Sequence, residues 1–566
     1  MARRAPRSRS FLPATLLGLA VVALVVGILV AIPHGDAPTV AGFSPVTGAP
    51  GTTVTIRGTG LAQVTSVDFG GEPARYSRSG DGRLRAVVPA GAKSGPVVVN
   101  AAGRKGASDR SFAVIPIQHV VVIDMENHTF DSVLGRYCVD QKQGLIHRDG
   151  TNSPCDGTVT GLLPGGKPIP LQDALDYGYN IGHSVSEHVR SIDHGRMDGF
   201  ANVRGCTQYS NPAYACLATF DPLKGTCGID KDQTCIPNLV RLADQYAISD
   251  RTFEFATSAS WAGHMVFASA TQDDFSGDNP HKYDFPGSGG PGWGCDSGED
   301  ADWWNGHRFI LQPSCVPDAN GRGPYRASKV RSVPTIFQTL DRAGISWKIY
   351  GGQGYQAKGP GYLWSICPTF WSCIGTKQRN NLVAADAVIS AASGGKLPSF
   401  AMVTPVQRTS EHPPKSMAMG DNWLGRVLGA LMNGPEWNST AVFLTWDDCG
   451  CFFDHVNPLQ YNPTWGLRVP MFIVSPWARP GYTDSNPATF VSTLAFVERI
   501  FGLAPLHPCR IISHPHCTDD ANSYDFLRAF DFAQEPLPPV KMVRTAFTPA
   551  ELAIIKTYYV KGKDAP

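Results

Sequence analysis

Two short apolar runs, VVVID at residues 120–124 and AVFLTW at 441–446, both stop at acidic side chains. Runs of this length and β-branched content suit strands buried on both faces, the kind found in parallel sheets covered by helices. The first run leads into Met125-Glu126-Asn127 and the second into Asp447-Asp448. In open α/β sheets, ligands collect at the carboxyl ends of strands. Three carboxylates and an amide then project from strand ends. Clustered carboxylates repel one another unless a cation lies between them. The donor atoms are all oxygens, so the expected cofactor is one hard divalent ion: Ca²⁺, Mg²⁺ or Mn²⁺. A lone Asp-Asp is more often a solvated turn, but here both acidic motifs directly follow apolar strands.

Other segments agree with an α/β class. PMFIVS at 470–475 reads as another buried strand, and residues 238–246 and 489–501 read as helices. Strands mixed with helices from residue 116 to 540 predict a large doubly wound sheet. Gly-rich stretches such as residues 277–325 are expected as insertions over its edge. Thr548-Pro549-Ala550-Glu551 has the pattern of a capped helix start, opening a C-terminal helix and tail over 541–566.

Residues 38–115 have a different texture. Short β-rich runs (53–57, 66–69, 84–88 and 96–100) alternate with Gly- and Pro-rich turns, which predicts a small all-β sandwich. The segment has no Cys and no His, so a spacer or binding role is expected. Ahead of it, Arg3, Arg4, Arg7 and Arg9 precede an uncharged apolar run at 11–32. That run is long enough to cross a bilayer, with the arginines held in the cytoplasm. A signal anchor, or a cleaved signal peptide, would place the rest outside the cytoplasm, and residues 1–37 are assigned to this stub, anchor and linker.

The 14 cysteines all follow residue 137, mostly as sequence-near pairs that suit disulfide staples in an oxidising compartment. No CxxC…CxxC or CxxC…HxxxH pattern points to zinc. Cys449 and Cys451 stand too close to pair comfortably with each other. The net charge of +1 gives no pull toward nucleic acid.

At the acidic motifs the chain resembles the bacterial phosphoesterases that include non-specific phospholipases C and acid phosphatases. The resemblance rests on HVVVIDMENHTFDSVLG, GRMDGF at 195–200, SASWAGHMVFASAT and FLTWDDCGCFFDHVNP, taken in order. It implies an alkaline-phosphatase-like architecture and a metal shell of Glu126, Asn127, Ser260, Asp447 and Asp448. Ser260 is implied as the nucleophile, forming a phosphoserine. Its alternative role is a helix N-cap. His183 and His412 match family histidines that serve the leaving group and the phosphoryl group. His455 lies close to the metal motif, and His264, His188 and His194 are weaker candidates. The chain departs from the common family pattern at Ala259, Ala262-Gly263 and Asp448. The 38–115 segment resembles an IPT/TIG domain, an immunoglobulin-like module.

The function expected is hydrolysis of a phosphate ester, phospholipase-C-like, with a phospholipid among the candidate substrates. An acid phosphatase is the alternative. A reading of another class is a non-catalytic, surface-anchored binding protein.

Overall fold

The computed structural model describes residues 37–558 except 80–81, 149–153, 208–212, 226, 231, 282–291, 353–361, 507–519 and 521–522. The expected anchor at 11–32, together with Cys509 and Cys517, lies outside the described residues. Among the described residues no helix is long and apolar enough to cross a membrane.

Eight strands between Gly42 and Val114 form the all-β unit. In the strand Thr53–Arg57, Val54 and Ile56 point inward while Thr53 and Arg57 face water, the period-two pattern of a half-buried sheet. Val54, Ile56, Val67, Phe69, Val97, Val99 and Phe112 belong to a core of this unit alone. Its last strand ends at Val114, and the next buried residue, Ile115, joins a second and larger core.

That larger core holds a sheet of eight strands: β1 (His119–Met125), β2 (Ala247–Ser249), β3 (Trp347–Tyr350), β4 (Leu382–Val383), β5 (Phe400–Val403), β6 (Thr440–Trp446), β7 (Met471–Val474) and β8 (Thr483–Asp484). The spatial order is β4-β3-β5-β1-β6-β7-β2-β8. Strand β1 lies between β5 and β6 and runs parallel to both, while β7 runs antiparallel to β6. Every residue of β6 is buried, as is every residue of β1 after His119. This is why both read as continuous apolar runs.

Six helices matter for the site: α1 (Pro237–Gln245), α2 (Ser260–Ser269), α3 (Ile336–Ala343), α4 (Ala387–Ser393), α5 (Met417–Met432) and α6 (Val491–Phe501). Helix α5 packs on α1 and α4, and α2 packs on α3 and α6. Two such sets are what a sheet covered on both faces requires. Part of the Gly-rich insertion forms a hairpin, Asp300–Trp304 with Phe309–Pro313. The C-terminal helix Pro549–Thr557 starts with the expected reciprocal bonds between Thr548 and Glu551.

Among the described residues five disulfides staple the larger unit: Cys138–Cys155, Cys206–Cys216, Cys227–Cys235, Cys295–Cys315 and Cys367–Cys373. All close short loops. A chain so cross-linked belongs outside the reducing cytoplasm.

Candidate active site

Strands β1 and β6 are paired through Met125 opposite Trp446, so Glu126-Asn127 and Asp447-Asp448 leave the sheet side by side. Asn127 takes a left-handed conformation with φ of 65°, which asparagine tolerates better than most residues. Its backbone N–H donates to Asp447 Oδ1 at 2.9 Å, and the Asp448 N–H donates to the same oxygen at 2.8 Å. A Cβ on Gly450 would stand 2.1 Å from the Asn127 carbonyl oxygen, so only glycine lets the two turns meet.

Helix α2 brings Ser260 onto this edge. Ser260 Oγ lies 3.1 Å from Glu126 Oε2 and 3.3 Å from Asp448 Oδ2, with Asn127 Nδ2 at 3.5 Å. The N-cap position is held by Ala259, and the Ser260 hydroxyl faces the carboxylates instead of capping the helix. Gly263 permits the approach, because a Cβ there would come within 2.6 Å of the Asp447 carbonyl oxygen.

One turn into α2, His264 sits among the acids. Its Nδ1 is 2.9 Å from the Trp364 carbonyl oxygen, which fixes that nitrogen as the N–H donor. Its Nε2 then faces Glu126 Oε1 at 3.2 Å, Asp124 Oδ2 at 3.4 Å and Asp447 Oδ2 at 3.6 Å. Burial opposes charge on this ring, but Asp124 and Asp447 outweigh it and push His264 up to about 9. Burial likewise opposes charge on Asp447, yet bonding to His264 holds it at about 2. Burial, with Asp447 adding its repulsion, drives Glu126 and Asp448 well above the carboxylate range.

His183 and His412 come together, with ring centroids 5.1 Å apart, although 229 positions separate them in the chain. Each ties Nδ1 to a backbone carbonyl, Ile181 at 3.0 Å and Pro413 at 2.6 Å. Burial, then the charge of His183 and of Lys415, push His412 down to about 3. Trp364 stacks on the His412 ring at 6.1 Å.

His455 does not join them. Both its nitrogens are engaged by carboxylates, Nδ1 with Asp131 at 2.6 Å and Nε2 with Asp156 at 3.3 Å. This pair belongs to a network around Arg468, itself fully buried and bonded to Asp131 and Asp454. Both ring nitrogens of His455, expected as a catalytic group, are thus taken up by carboxylates. His194 is exposed, and His188 packs against Cys449 and Glu254. In GRMDGF, Asp198 accepts from the backbone of Gly165 and Gly166, a fold-holding task. Of the loop aromatics, Trp303, Trp364 and Phe370 are buried, whereas Trp293, Trp304 and Trp371 are partly exposed.

The donor set fits a hard cation. Asn127 Oδ1 and Asp124 Oδ1 are buried without a hydrogen-bond partner, and Asp124 Oδ2 and Asp447 Oδ2 meet only the His264 ring, beyond hydrogen-bond geometry. Buried oxygens left unpaired in this way cost free energy unless an ion satisfies them. The phosphoesterase family model matches residues 117–504, two thirds of the chain, and the IPT/TIG domain model matches residues 38–113. The chain belongs to the phosphoesterase family. It is 23% identical to a non-hemolytic phospholipase C of Burkholderia pseudomallei, over 72% of this chain and 58% of that protein. It is 24% identical to non-specific phospholipase C1 of Arabidopsis thaliana, over 66% of this chain and 63% of that protein. The chain thus spans less than two thirds of these relatives. With phospholipase C B of Mycobacterium tuberculosis the identity is 23%, over 79% and 83% of the two chains. A solved alkaline phosphatase superfamily protein from Vibrio parahaemolyticus aligns at TM-score 0.29 and 12% identity, over 54% of this chain and 68% of its own.

Within this family member, the residue that sequence reasoning missed is Asp124. It looked like the last residue of a buried strand. The available signal was an acid at a position that the flanking valines and isoleucine mark as interior.

Proposed function

We propose that this chain is an extracytoplasmic, metal-dependent phosphoric ester hydrolase of phospholipase C type, with residues 116–540 as its catalytic unit. The observation that carries the reading is Ser260 Oγ, held 3.1 Å from Glu126 and 3.3 Å from Asp448 where β1, β6 and α2 meet. Glu126, Asn127, Ser260, Asp447 and Asp448 would hold one divalent ion. Such an ion lowers the hydroxyl pKa and neutralises charge on the phosphoryl group.

The residues of the chain do the rest. Ser260 gives its proton to a facing carboxylate oxygen, and Oγ attacks phosphorus. An Oγ–P bond forms and the bond from phosphorus to the alcohol oxygen breaks. His183 protonates the departing alkoxide, while His412 contacts the phosphoryl oxygens. With Nδ1 of each ring donating to a carbonyl, Nε2 serves the substrate when the ring is doubly protonated, the state an adjacent phosphoryl anion favours. Water then attacks the phosphoserine and restores the Ser260 hydroxyl. The start of α2 favours an anion at that end through the helix dipole. The all-β unit serves as a spacer or binding module, and the apolar run at 11–32 directs export.

Release of p-nitrophenol from p-nitrophenyl phosphorylcholine and from p-nitrophenyl phosphate tests the reading. The diester should be cleaved faster, and acid quenching should trap phosphorylcholine on Ser260 from the diester and phosphate from the monoester. Faster cleavage of the monoester would make the protein a phosphatase. Turnover surviving in Ser260→Ala would refute the mechanism.

A further inference from the structure

A second cluster of chemically capable side chains lies apart from Ser260 and has no part in the reaction above. His188, Glu254, Cys449 and Cys451 are all fully buried. They come from three places: the helix Val185–Ile192, the segment after Thr252–Phe253, and the turn that follows β6. His188 Nδ1 is 2.9 Å from the Ser184 carbonyl oxygen, so that nitrogen carries the proton. The lone pair on Nε2 then points at Cys449 Sγ, 3.2 Å away, and at Glu254 Oε2, 3.1 Å away. Cys451 Sγ lies 3.6 Å from His188 Nδ1, on the same side of the ring cluster, and its residue donates its backbone N–H to Cys449 Sγ at 2.8 Å.

Three features ask for a cation here. A neutral ring would aim its lone pair at the carboxylate, so Nε2 carries either a proton or a metal ion. Apart from the His188 ring, no side chain bonds either oxygen of Glu254 among the described residues, and a buried carboxylate with so few partners is disfavoured. Finally, these two cysteines are the free ones among the described residues, whereas ten others are paired. In a compartment that oxidises five pairs, neighbouring thiols stay reduced when a metal caps them.

We propose that His188 Nε2, Cys449 Sγ, Cys451 Sγ and Glu254 Oε2 form a closed, structural zinc site. Two sulfurs, a nitrogen and an oxygen make a borderline-soft set of four, which Zn²⁺ takes in tetrahedral geometry. The oxygen-rich set around Ser260 selects a hard ion instead, so the two sites sort different metals. The sulfurs stand 2.6 Å apart. Zinc would part them to about 3.8 Å, the span of two ~2.3 Å bonds at a tetrahedral angle. The ion would tie the turn carrying Asp447-Asp448 to the helix that follows His183. It would thus brace the active site from behind without touching substrate. The competing outcome is a Cys449–Cys451 disulfide.

The full chain, exported through an oxidising compartment and purified without added zinc, decides between them. Elemental mass spectrometry should find about one zinc per chain that survives mild chelation, as buried structural zinc does. Cys449→Ser/Cys451→Ser should lose it. Replacement of zinc by Co²⁺ in the wild-type chain should give sulfur-to-cobalt charge-transfer absorption, a readout that does not depend on the variant folding. Denaturation with alkylation and no reductant should then label both cysteines in the 449–451 peptide. Absence of zinc, zinc retained in the double variant, or an unlabelled 449–451 peptide lighter by two hydrogens would each overturn the proposal.

Discussion

His455 offers a sharp separation between structural and catalytic roles. Its Nδ1 bonds Asp131, which is wholly buried, and its Nε2 meets Asp156, which is partly exposed. Burial opposes the ring's charge, but Asp131 and Asp156 together push it up from 6.5 to about 9. The same hydrogen bond draws Asp156 well below the usual carboxylate range. A rise of this size corresponds to roughly 2–3 kcal/mol of folding free energy, once partial exposure is allowed for. Because the folded-state value is raised, this stability is fully present below pH 6.5 and fades as pH climbs through about 9. Urea unfolding of the wild type, followed by tryptophan fluorescence, should therefore lose stability between pH 6.5 and 9. His455→Ala should be less stable by about 2–3 kcal/mol at pH 6.5 and should lack that slope. Its kcat, measured where the variant is fully folded, should stay within about twofold of wild type. A general acid or base contributes about 10²-fold or more to rate. A variant of unchanged stability whose kcat falls by that factor would refute the structural assignment.

Gly263→Ala should destabilise the chain by roughly 1–3 kcal/mol through the clash with the Asp447 carbonyl, and should weaken metal binding by moving Ser260. The sign is diagnostic, since Gly→Ala in an unconstrained helix interior gains about 1 kcal/mol; calorimetry and metal titration read both effects. Cys138→Ala/Cys155→Ala opens a loop with a sequence separation of 17 and should cost about 3 kcal/mol in chemical unfolding.

Most of the scaffold was legible in the sequence because its signals are local. A strand buried on both faces writes itself as an apolar run, so β1, β6 and β7 were found within a residue or so of their ends. The Thr548 cap is equally local. The approach of Glu126, Ser260 and Asp448 was read only through resemblance, since 134 and 188 positions separate Ser260 from its two partners. Chain proximity to Asp448 says nothing of the side-chain direction of His455. Arg468, 13 positions further on, supplies the network that captures it. Asp124 escaped notice, and His264 stood only as a weaker candidate, for a related reason: each looks ordinary alone, and only their meeting gives them meaning. The pairing of His188 with Cys449 bridges 261 positions, beyond any spacing rule for zinc.

Trp364 holds two sides of the site at once. Its carbonyl sets the tautomer of His264 and its ring stacks on His412. The residue stands three positions before the Cys367–Cys373 staple, on a turn that belongs to neither strand end. A lineage that retunes the pocket by changing this turn must alter both histidines together. The pocket's variation is then constrained at a residue that bears no acid, base or nucleophile of its own.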